Sequence, residues 1–535
     1  MKEEKSLFKN LKFDITAGLV VFFVALPLCL GISLASTSYK ATATLEAFDG
    51  VVMPGIIAGI VGGIIVGTFS GSRFGVSGPA AGLITIVSVA IVEFGGFAGG
   101  GFEKFALAVA LGGAFQFIFG LIRAGFVAYY IPFSVIKGML AGIGITIFIK
   151  ELPHFFGYDK DPEGDMNFFQ TDGHNTFSEL GYMLDNVHWG ATLVAVISLV
   201  ILIVWGLKFI KTNKFLSQIP GPLIAILVSI AIAVLLQSNP SLLIEGEHLV
   251  NVPQPANFEE FKGMLYFPNF AAISDPAVWR VAIVIALVAS IESLLCVEAT
   301  DKMDPFKGRT PMNRELRAQG IGNMISGLLG GLPITQVIVR SSANITAGAK
   351  SKMSAIIHGI FLLGFIVAIP GLLNMIPRAT LAAVLLLIGW KLASPKGMIQ
   401  MIKSGWAQYV PFFVVIIMML LTDLLIGVGS GIGVAFIIIL YRNFKMSFFI
   451  QGDKGDNKVH LTFSQHTTFL NKASILARLD KIEDGSEVII DLTNTISIDY
   501  DVSEAIRDFV AGAEDRDIKV EIIQEEKLTQ VSMGH

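Results

Sequence analysis

Two ionisable side chains inside apolar stretches are the first candidates for chemistry in this sequence. Arg340 lies in IVRSSANITAG, and Glu292 lies in VASIESLLCVEA. A charge at membrane depth is costly and usually functional. Arg340 could bind an anion, and Glu292 could carry a proton or coordinate Na⁺. Alternatively, the two side chains could form a structural pair that only neutralises both charges.

Two Gly/Pro breaks lead into apolar half-helices at matching places in the chain. The first is FGVSGPAAGLITI, and the second is GGLPITQVIVR, which runs into Arg340. A helix that begins at membrane depth leaves its first N–H groups unpaired, and its N-terminus carries a partial positive charge. Two such N-termini from inverted halves would form an anion pocket, to which Gly78, Pro79, Ala80 and Ala81 would contribute. The alternative interpretation is a Gly-Pro kink in a packed helix.

The elements that must position these residues are membrane helices. The 535 residues are 53% hydrophobic and 15% charged, with a mean hydropathy of +0.68. Apolar runs of about 20 residues recur, which is long enough to cross a bilayer. We therefore predict a polytopic α-helical membrane protein that is embedded in a lipid bilayer. The predicted spans are 15–36, 51–69, 78–94, 104–122, 131–152, 188–207, 219–237, 279–300, 315–331, 334–348, 354–372, 378–393, 408–424 and 425–443.

The basic residues predict how these spans are oriented. Lysine and arginine fall in every second connection, from the N-terminal Lys2, Lys5, Lys9 and Lys12 to Arg442 and Lys445. Cytoplasmic connections are rich in these residues, so both termini are expected in the cytoplasm. The acidic segment 157–186 and the polar segment 238–275 would then lie outside. No cleavable signal peptide is visible.

The pattern changes near residue 446, where β-branched runs alternate with amphipathic helix patterns. This predicts a small soluble α/β domain over 446–535. The remaining predicted parts are a cytoplasmic N-terminus (1–14) and a transmembrane domain (15–443), whose halves cover about 15–237 and 279–443.

Several functional classes are not indicated. Cys29 and Cys296 both lie in apolar spans, and the histidines show no ligand spacing, so we expect neither a disulfide framework nor a metal site. No nucleophile–base set or phosphate loop is visible, and we expect no enzyme, no catalytic residues, no cofactor and no nucleic-acid partner.

Several motifs resemble the SulP family of sulfate permease-type anion transporters. The first span, DITAGLVVFFVALPLCLGISLAS with Pro27, is similar to the family's opening signature, and VSGPAAG is similar to its third span. PFSVIKGMLAGIG resembles the fifth span. NRELRAQGIGNMISGLLGGLPITQVIVRSSANITAGAKSKMS resembles the ninth and tenth and is the most specific stretch. The C-terminal region resembles the cytoplasmic STAS domain of the family.

The resemblance implies a seven-plus-seven inverted repeat, with half-helices at spans 3 and 10. Spans 1–4 and 8–11 would form a core domain, and the other spans would form a gate domain. The core would move past the gate in an elevator-like way, and the protein would be a homodimer. The implied anion site contains Leu28 and Ile32 on the first span, Ala80 and its neighbours on the third, and Ile338, Val339 and Arg340 on the tenth. The coupling acid of the eighth span falls on Glu292.

The chain departs from the family pattern at three positions. Na⁺-coupled bicarbonate members resemble it at the eighth span but have Asp at the position of Glu292 and Thr at that of Cys296. This leaves proton coupling open beside Na⁺ coupling. Tyr500 replaces the Ser or Thr of phosphorylatable relatives, which argues against a phosphorylation switch there.

Together these features predict a secondary active transporter of small inorganic oxyanions, coupled to H⁺ or Na⁺, in the bacterial cytoplasmic membrane. The acidic segment 157–186 resembles a branch associated with carbonic anhydrase, which favours bicarbonate over sulfate. The alternatives are an uncoupled anion channel or exchanger, and a nucleobase or dicarboxylate permease of the same fold.

Overall fold

The fold consists of a large helical unit and a small α/β unit, which divide between Ile432 and Gly433. The computed structural model describes residues 10–39, 48, 50–163, 165, 168–169, 174–213, 219–445, 448–451 and 458–524. Most of the predicted N-terminal region 1–14 and the end of the chain, 525–535, lie outside the described residues, as do Lys2, Lys5 and Lys9.

The first half of the helical unit contains ten helices and one short strand among the described residues. A π-helical segment, Gly62–Val66, joins the second helix to the third. The elements are α1 (Leu11–Thr37), α2 (Met53–Val61), α3 (Gly67–Phe69), β1 (Ser77–Pro79), α4 (Ile84–Glu93), α5 (Gly101–Leu121), α6 (Phe133–Phe155), α7 (Thr176–Asp185), α8 (Trp189–Trp205), α9 (Lys208–Thr212) and α10 (Gly221–Leu236).

The second half repeats the arrangement of a short strand placed between helices. Its last helix, α20, continues across the division into the second unit. The elements are α11 (Phe258–Gly263), α12 (Pro276–Met303), α13 (Met312–Leu328), β2 (Ile334–Gln336), α14 (Ile338–Thr346), α15 (Met353–Ala368), α16 (Pro370–Leu373), α17 (Arg378–Ala393), α18 (Pro395–Lys403), α19 (Trp406–Leu421) and α20 (Leu424–Lys445).

Each of the fourteen predicted spans contains a helix, which confirms the polytopic helical class. Six described stretches are long and apolar enough to cross a bilayer alone, and the bent pair α7–α8 would add a seventh. The third and tenth spans differ most from prediction. Residues 78–79 and 334–336, expected to be helical, are extended, and the α-helices begin only at Ile84 and Ile338.

The helices pack in two groups, which contain the helices predicted for the core and gate domains. In one group α1 packs against α2, α4, α14 and α15, and α5 packs against α12 and α13. In the other, α6 packs against α17 and α19, and α8 packs against α10 and α17. Small residues permit the closest crossings, as membrane helices require: a Cβ added to Gly113 would lie 2.4 Å from the backbone nitrogen of Met324.

The second unit contains the predicted small α/β domain. Its sheet has the order β3 (Phe448–Gln451), β4 (Lys458–Phe463), β6 (Glu487–Asp491), β8 (Lys519–Ile523). Strand β3 is antiparallel to β4, and the other neighbours are parallel. Strands β5 (His466–Thr467) and β7 (Ser497–Ile498) form a separate parallel pair. Helices α21 (Lys472–Leu479) and α22 (Tyr500–Ala511) contribute Ile475, Leu479, Val502 and Ile506 to the hydrophobic core under the sheet.

Candidate anion-binding site

The centre of the candidate site is the pairing of β1 with β2. The two strands run antiparallel, with Ser77 opposite Gln336, Gly78 opposite Thr335, and Pro79 opposite Ile334. A 3₁₀ turn (Ala81–Leu83) and α4 follow β1, and α14 follows β2 directly. Each strand therefore feeds a helix that begins inside the membrane domain, and this inverted arrangement brings the two helix N-termini together.

Side chains of neighbouring helices satisfy the backbone of these interrupted segments. Asn323 of α13 accepts a hydrogen bond from the N–H of Ile334 at 2.6 Å and donates one to its carbonyl at 2.9 Å. Ser293 of α12 accepts from the N–H of Gln336, and Ser341 of α14 accepts from the N–H of Val76. Extended backbone at membrane depth is tolerated only with such partners. The polar residues of α12–α14 thus make the break possible.

A cavity of about 70 Å³ lies at the two helix N-termini, larger than the space one water molecule needs. Its walls come from α1, the segment after β1, α6, α12, the start of α14, and the connection between α19 and α20. The lining residues are Leu28, Ile32, Pro79, Ala81, Gly82, Ile143, Thr146, Glu292, Cys296, Val337, Ile338, Val339, Arg340, Met419, Asp423 and Leu424.

Arg340 is the positive charge of this cavity. Its side chain is 1% exposed, and none of its three guanidinium nitrogens has a hydrogen-bond partner among the described residues. The guanidinium lies against the backbone of Gly78, where an added Cβ would be only 2.0 Å from Nη1. Gly78 therefore leaves the space that lets a large cation reach the cavity wall. The buried thiol of Cys29 interacts with the guanidinium, but no carboxylate pairs with it among the described residues. A buried cation without an acidic partner is suited to bind an anion.

Glu292 contributes a carboxyl group to the same cavity. It is 2% exposed, its Oε2 has no hydrogen-bond partner among the described residues, and it lies against the backbone of Gly82. Asp423 is close enough to act on it electrostatically. Glu292 and Arg340 form no ion pair with each other. The geometry therefore does not support the alternative in which Glu292 and Arg340 only neutralise each other.

The structure brings most of the predicted site residues together. Leu28, Ile32, Pro79, Ala81, Glu292, Ile338, Val339 and Arg340 line the cavity. Gly78 and Ala80 do not: Gly78 supports the guanidinium, and Ala80 is the extended residue before the 3₁₀ turn.

Sequence reasoning missed several lining residues, above all those on the gate helices. Asp423 lies in the apolar run LLTDLLIG, so the argument used for Glu292 would have found it. Cys296 follows Glu292 by one helical turn, a spacing that places both on one face. Ile143, Thr146 and Met419 carry no signal of this kind, because they are ordinary residues of apolar spans.

Comparison with known proteins agrees with this geometry. The model of the "Sulfate permease family" matches residues 11–418. The chain belongs to the sulfate permease family. As a member of this family it is a multi-pass membrane transporter and not an enzyme.

Two curated relatives illustrate the family. The chain is 30% identical over 429 residues to the putative sulfate transporter YvdB of Bacillus subtilis, covering 80% of this chain and 73% of the relative. It is 28% identical over 451 residues to the bicarbonate transporter BicA of a Picosynechococcus species, covering 81% and 71%.

Solved structures show the same fold for this family member. The transmembrane domain of a cyanobacterial bicarbonate transporter BicA aligns with a TM-score of 0.54 and 24% identity, over 79% of this chain and 98% of that one. The murine Solute Carrier 26 family member A9 anion transporter, in the inward-facing state, aligns with a TM-score of 0.65 and 16% identity, over 98% and 87%. At these identities the likeness concerns the fold alone.

Proposed function

We propose that the protein is a secondary active transporter of a small inorganic oxyanion, bicarbonate or sulfate. The observation that carries this proposal is Arg340, a buried guanidinium beside two helix N-termini that pairs with no carboxylate among the described residues. Backbone N–H groups at both helix starts and the charge of Arg340 would bind the anion together. Pro79 leaves no unpaired N–H at its own position.

The position of Glu292 supports coupling to a cation. Its carboxyl group lines the same cavity as Arg340, with Asp423 nearby. A charged carboxylate there would repel an incoming anion, and two neighbouring carboxylates would repel each other. A proton or Na⁺ taken up at Glu292 would remove this repulsion, so anion and cation would enter together. The names of the relatives support sulfate and bicarbonate equally as cargo.

The movement and placement of the protein complete the proposal. The core helices would carry the anion past the gate helices in an elevator-type movement, within a homodimer. We place the protein in the bacterial cytoplasmic membrane with both termini in the cytoplasm. Segments 157–186 and 238–275 would then face outward, and the transmembrane and STAS-like domains would be 15–443 and 446–535.

Uptake into liposomes tests the proposed function. The purified protein should accumulate labelled bicarbonate or sulfate when an H⁺ or Na⁺ gradient is applied, and each gradient is imposed separately with competing anions present. Absence of uptake of any inorganic anion under every gradient would overturn the proposal.

The coupling role is tested with Glu292→Gln, which keeps the shape of the side chain but cannot ionise. We expect uptake that no longer responds to the cation gradient. Glu298→Gln is the matched control on the same helix, because Glu298 pairs with Lys302 at 3.1 Å away from the cavity. Gradient-driven accumulation that persists in Glu292→Gln would exclude the residue from coupling.

A further inference from the structure

The short segment 157–163, here called the outer strap, follows α6 on the face that we propose to be extracellular. Its acidic residues are buried although they lie in a connection: Asp159, Asp161 and Glu163 are each at most 6% exposed. Lys160 between them is exposed and pairs with Glu247 at 3.3 Å. A connection that buries three acids needs specific partners, because a buried charge is otherwise strongly unfavourable.

Asp159 has two histidine partners, which fasten one end of the outer strap. His154 Nδ1 lies 2.7 Å from Asp159 Oδ1, and His248 Nδ1 lies 2.8 Å from Asp159 Oδ2. The ring of His188 lies against that of His248, with centroids 4.4 Å apart. Burial alone would raise the pKa of Asp159, but the hydrogen bonds from His154 and His248 outweigh it and lower the pKa. Asp159 is therefore held as a carboxylate.

Glu163 at the other end of the outer strap is in a different environment. Its Oε1 is buried and has no hydrogen-bond partner among the described residues. It lines a second cavity of about 80 Å³, together with Arg378 and Asn251. A cavity of this size with polar side chains in its lining has room for water, which would give protons a path to the carboxyl group. Burial raises the pKa of Glu163, and the charge of Arg378 offsets this only in part.

The outer strap joins the two groups of helices beside the anion cavity. The backbone of Glu163 packs on Gly31 of α1, where an added Cβ would lie 1.8 Å from the Glu163 carbonyl oxygen. Gly31 precedes Ile32, which lines the anion cavity. Arg378 is the first residue of α17, on the gate side. Any movement of α1 against α17 must therefore change the surroundings of Glu163.

We propose that the outer strap is a proton-binding latch, and that Glu163 takes up a proton from outside when the strap closes over α1 and α17. The proton ends on the carboxylate of Glu163, and no bond to another group is made or broken. The latch is separate from the coupling site at Glu292, and its position rests on the proposed orientation of the chain.

The sign of the effect follows from the two carboxyl groups. A group whose pKa is raised in the closed state stabilises that state at low pH, and this stabilisation is lost as pH rises through the raised pKa. Glu163 therefore favours closure in acid and opening in base. Asp159 has a lowered pKa and supports closure until the pH falls through that value. The closed strap is most stable between these two pKa values.

His154 and Glu151 of α6, Asp159 of the outer strap and Arg378 of α17 interact electrostatically with Glu163. Other charged groups lie near it in sequence or act on these neighbours: Asp161, Asp165, Glu179 of α7, His188 before α8, and His248 of the turn Gly246–His248. Among the described residues no group of three or more histidine, cysteine or acidic side chains has the arrangement of a metal site. This favours a proton over a metal ion.

Hydrogen–deuterium exchange of the full-length protein in nanodiscs tests the latch, since both faces then meet the same buffer. After correction for the intrinsic exchange rate, protection of residues 157–163 should fall as pH rises, by up to about tenfold per pH unit for one linked proton. Glu163→Gln imitates the protonated acid and removes one of the titrating groups at the strap, so its protection should change less steeply with pH than that of the wild type. Glu259→Gln changes an exposed acid of the neighbouring connection and should behave as wild type.

Three outcomes would overturn the latch. They are wild-type protection that does not change with pH, a pH dependence as steep in Glu163→Gln as in the wild type, and protection that responds at constant pH to exchanging Na⁺ for K⁺. Wild-type protection that does not change with pH overturns the latch whether or not the variant folds. Exchange is measured without any anion or gradient, so a failure of the transport proposal would not affect the result.

Discussion

At the scale of single residues, the site depends on the contact between Arg340 and Gly78. The guanidinium occupies the space that any larger side chain at position 78 would fill. No carboxylate pairs with its nitrogens in the part of the chain that the structure describes, and its long side chain is almost completely buried. An anion bound there would receive hydrogen bonds from a charged donor, which contribute more than those between neutral groups.

Replacing Arg340 with alanine should weaken anion binding while the protein still folds. Hydrogen bonds to charged groups contribute about 1.5–3 kcal/mol, so the KM for uptake should rise at least about tenfold. Arg280→Ala is the matched control, because Arg280 lies on the exposed part of α12 and pairs with Glu93. The KM is measured by initial rates of labelled anion uptake.

The same experiment includes Gly78→Ala, whose Cβ would displace the guanidinium. The rise in KM caused by Gly78→Ala should not add to the rise caused by Arg340→Ala, because both substitutions disrupt the contact between Gly78 and the guanidinium. An unchanged KM in Arg340→Ala would assign the arginine to structure only.

At the scale of elements, the sequence predicted the helices well and the strands not at all. The apolar runs and the basic connections suffice to predict the fourteen spans and their orientation. The Gly-Pro break of Gly78 and Pro79 located the first half-helix. The strands β1 and β2 are three residues each, and their pairing depends on contacts between residues more than 250 positions apart. No local sequence pattern encodes such a contact. The hydrogen bonds of Asn323 to the backbone of Ile334 are likewise visible only in the folded structure.

Asn323→Ala should destabilise the protein through β2. The substitution leaves the buried N–H and carbonyl of Ile334 without their partner, and an unsatisfied buried group costs about 1–3 kcal/mol. The midpoint of thermal unfolding in detergent should fall by several degrees. Gln254→Ala, in an exposed connection, provides the control and should leave the midpoint unchanged. An equal midpoint in both variants would show that β2 does not depend on this side chain.

At the scale of the whole molecule, the transporter and the α/β unit have separate cores. The second unit packs its own buried cluster, which includes Leu461, Val488, Ile490 and Val502. Composition and periodicity predicted this unit from sequence, because strand and helix patterns alternate there. Composition and periodicity did not predict that the boundary between the two units would fall inside α20.

Cutting the chain after Lys445 should therefore give two parts that fold independently. The part ending at Lys445 should still take up labelled anion, and a separate 446–524 fragment should unfold cooperatively by circular dichroism. Cutting after Ile432 removes half of α20 and should abolish uptake. Loss of uptake after the cut at Lys445 as well would show that transport requires the α/β unit.

The pairing of Gly78 with Thr335 shows how the two halves divide their contributions to the site. The antiparallel strands share a local two-fold axis near this pair, which relates the two inverted halves. Four positions beyond each strand stand Leu83 and Arg340. The two halves thus place an apolar residue and a cation at equivalent positions. One half therefore supplies the charge, on Arg340, and the other supplies the space for it, at Gly78.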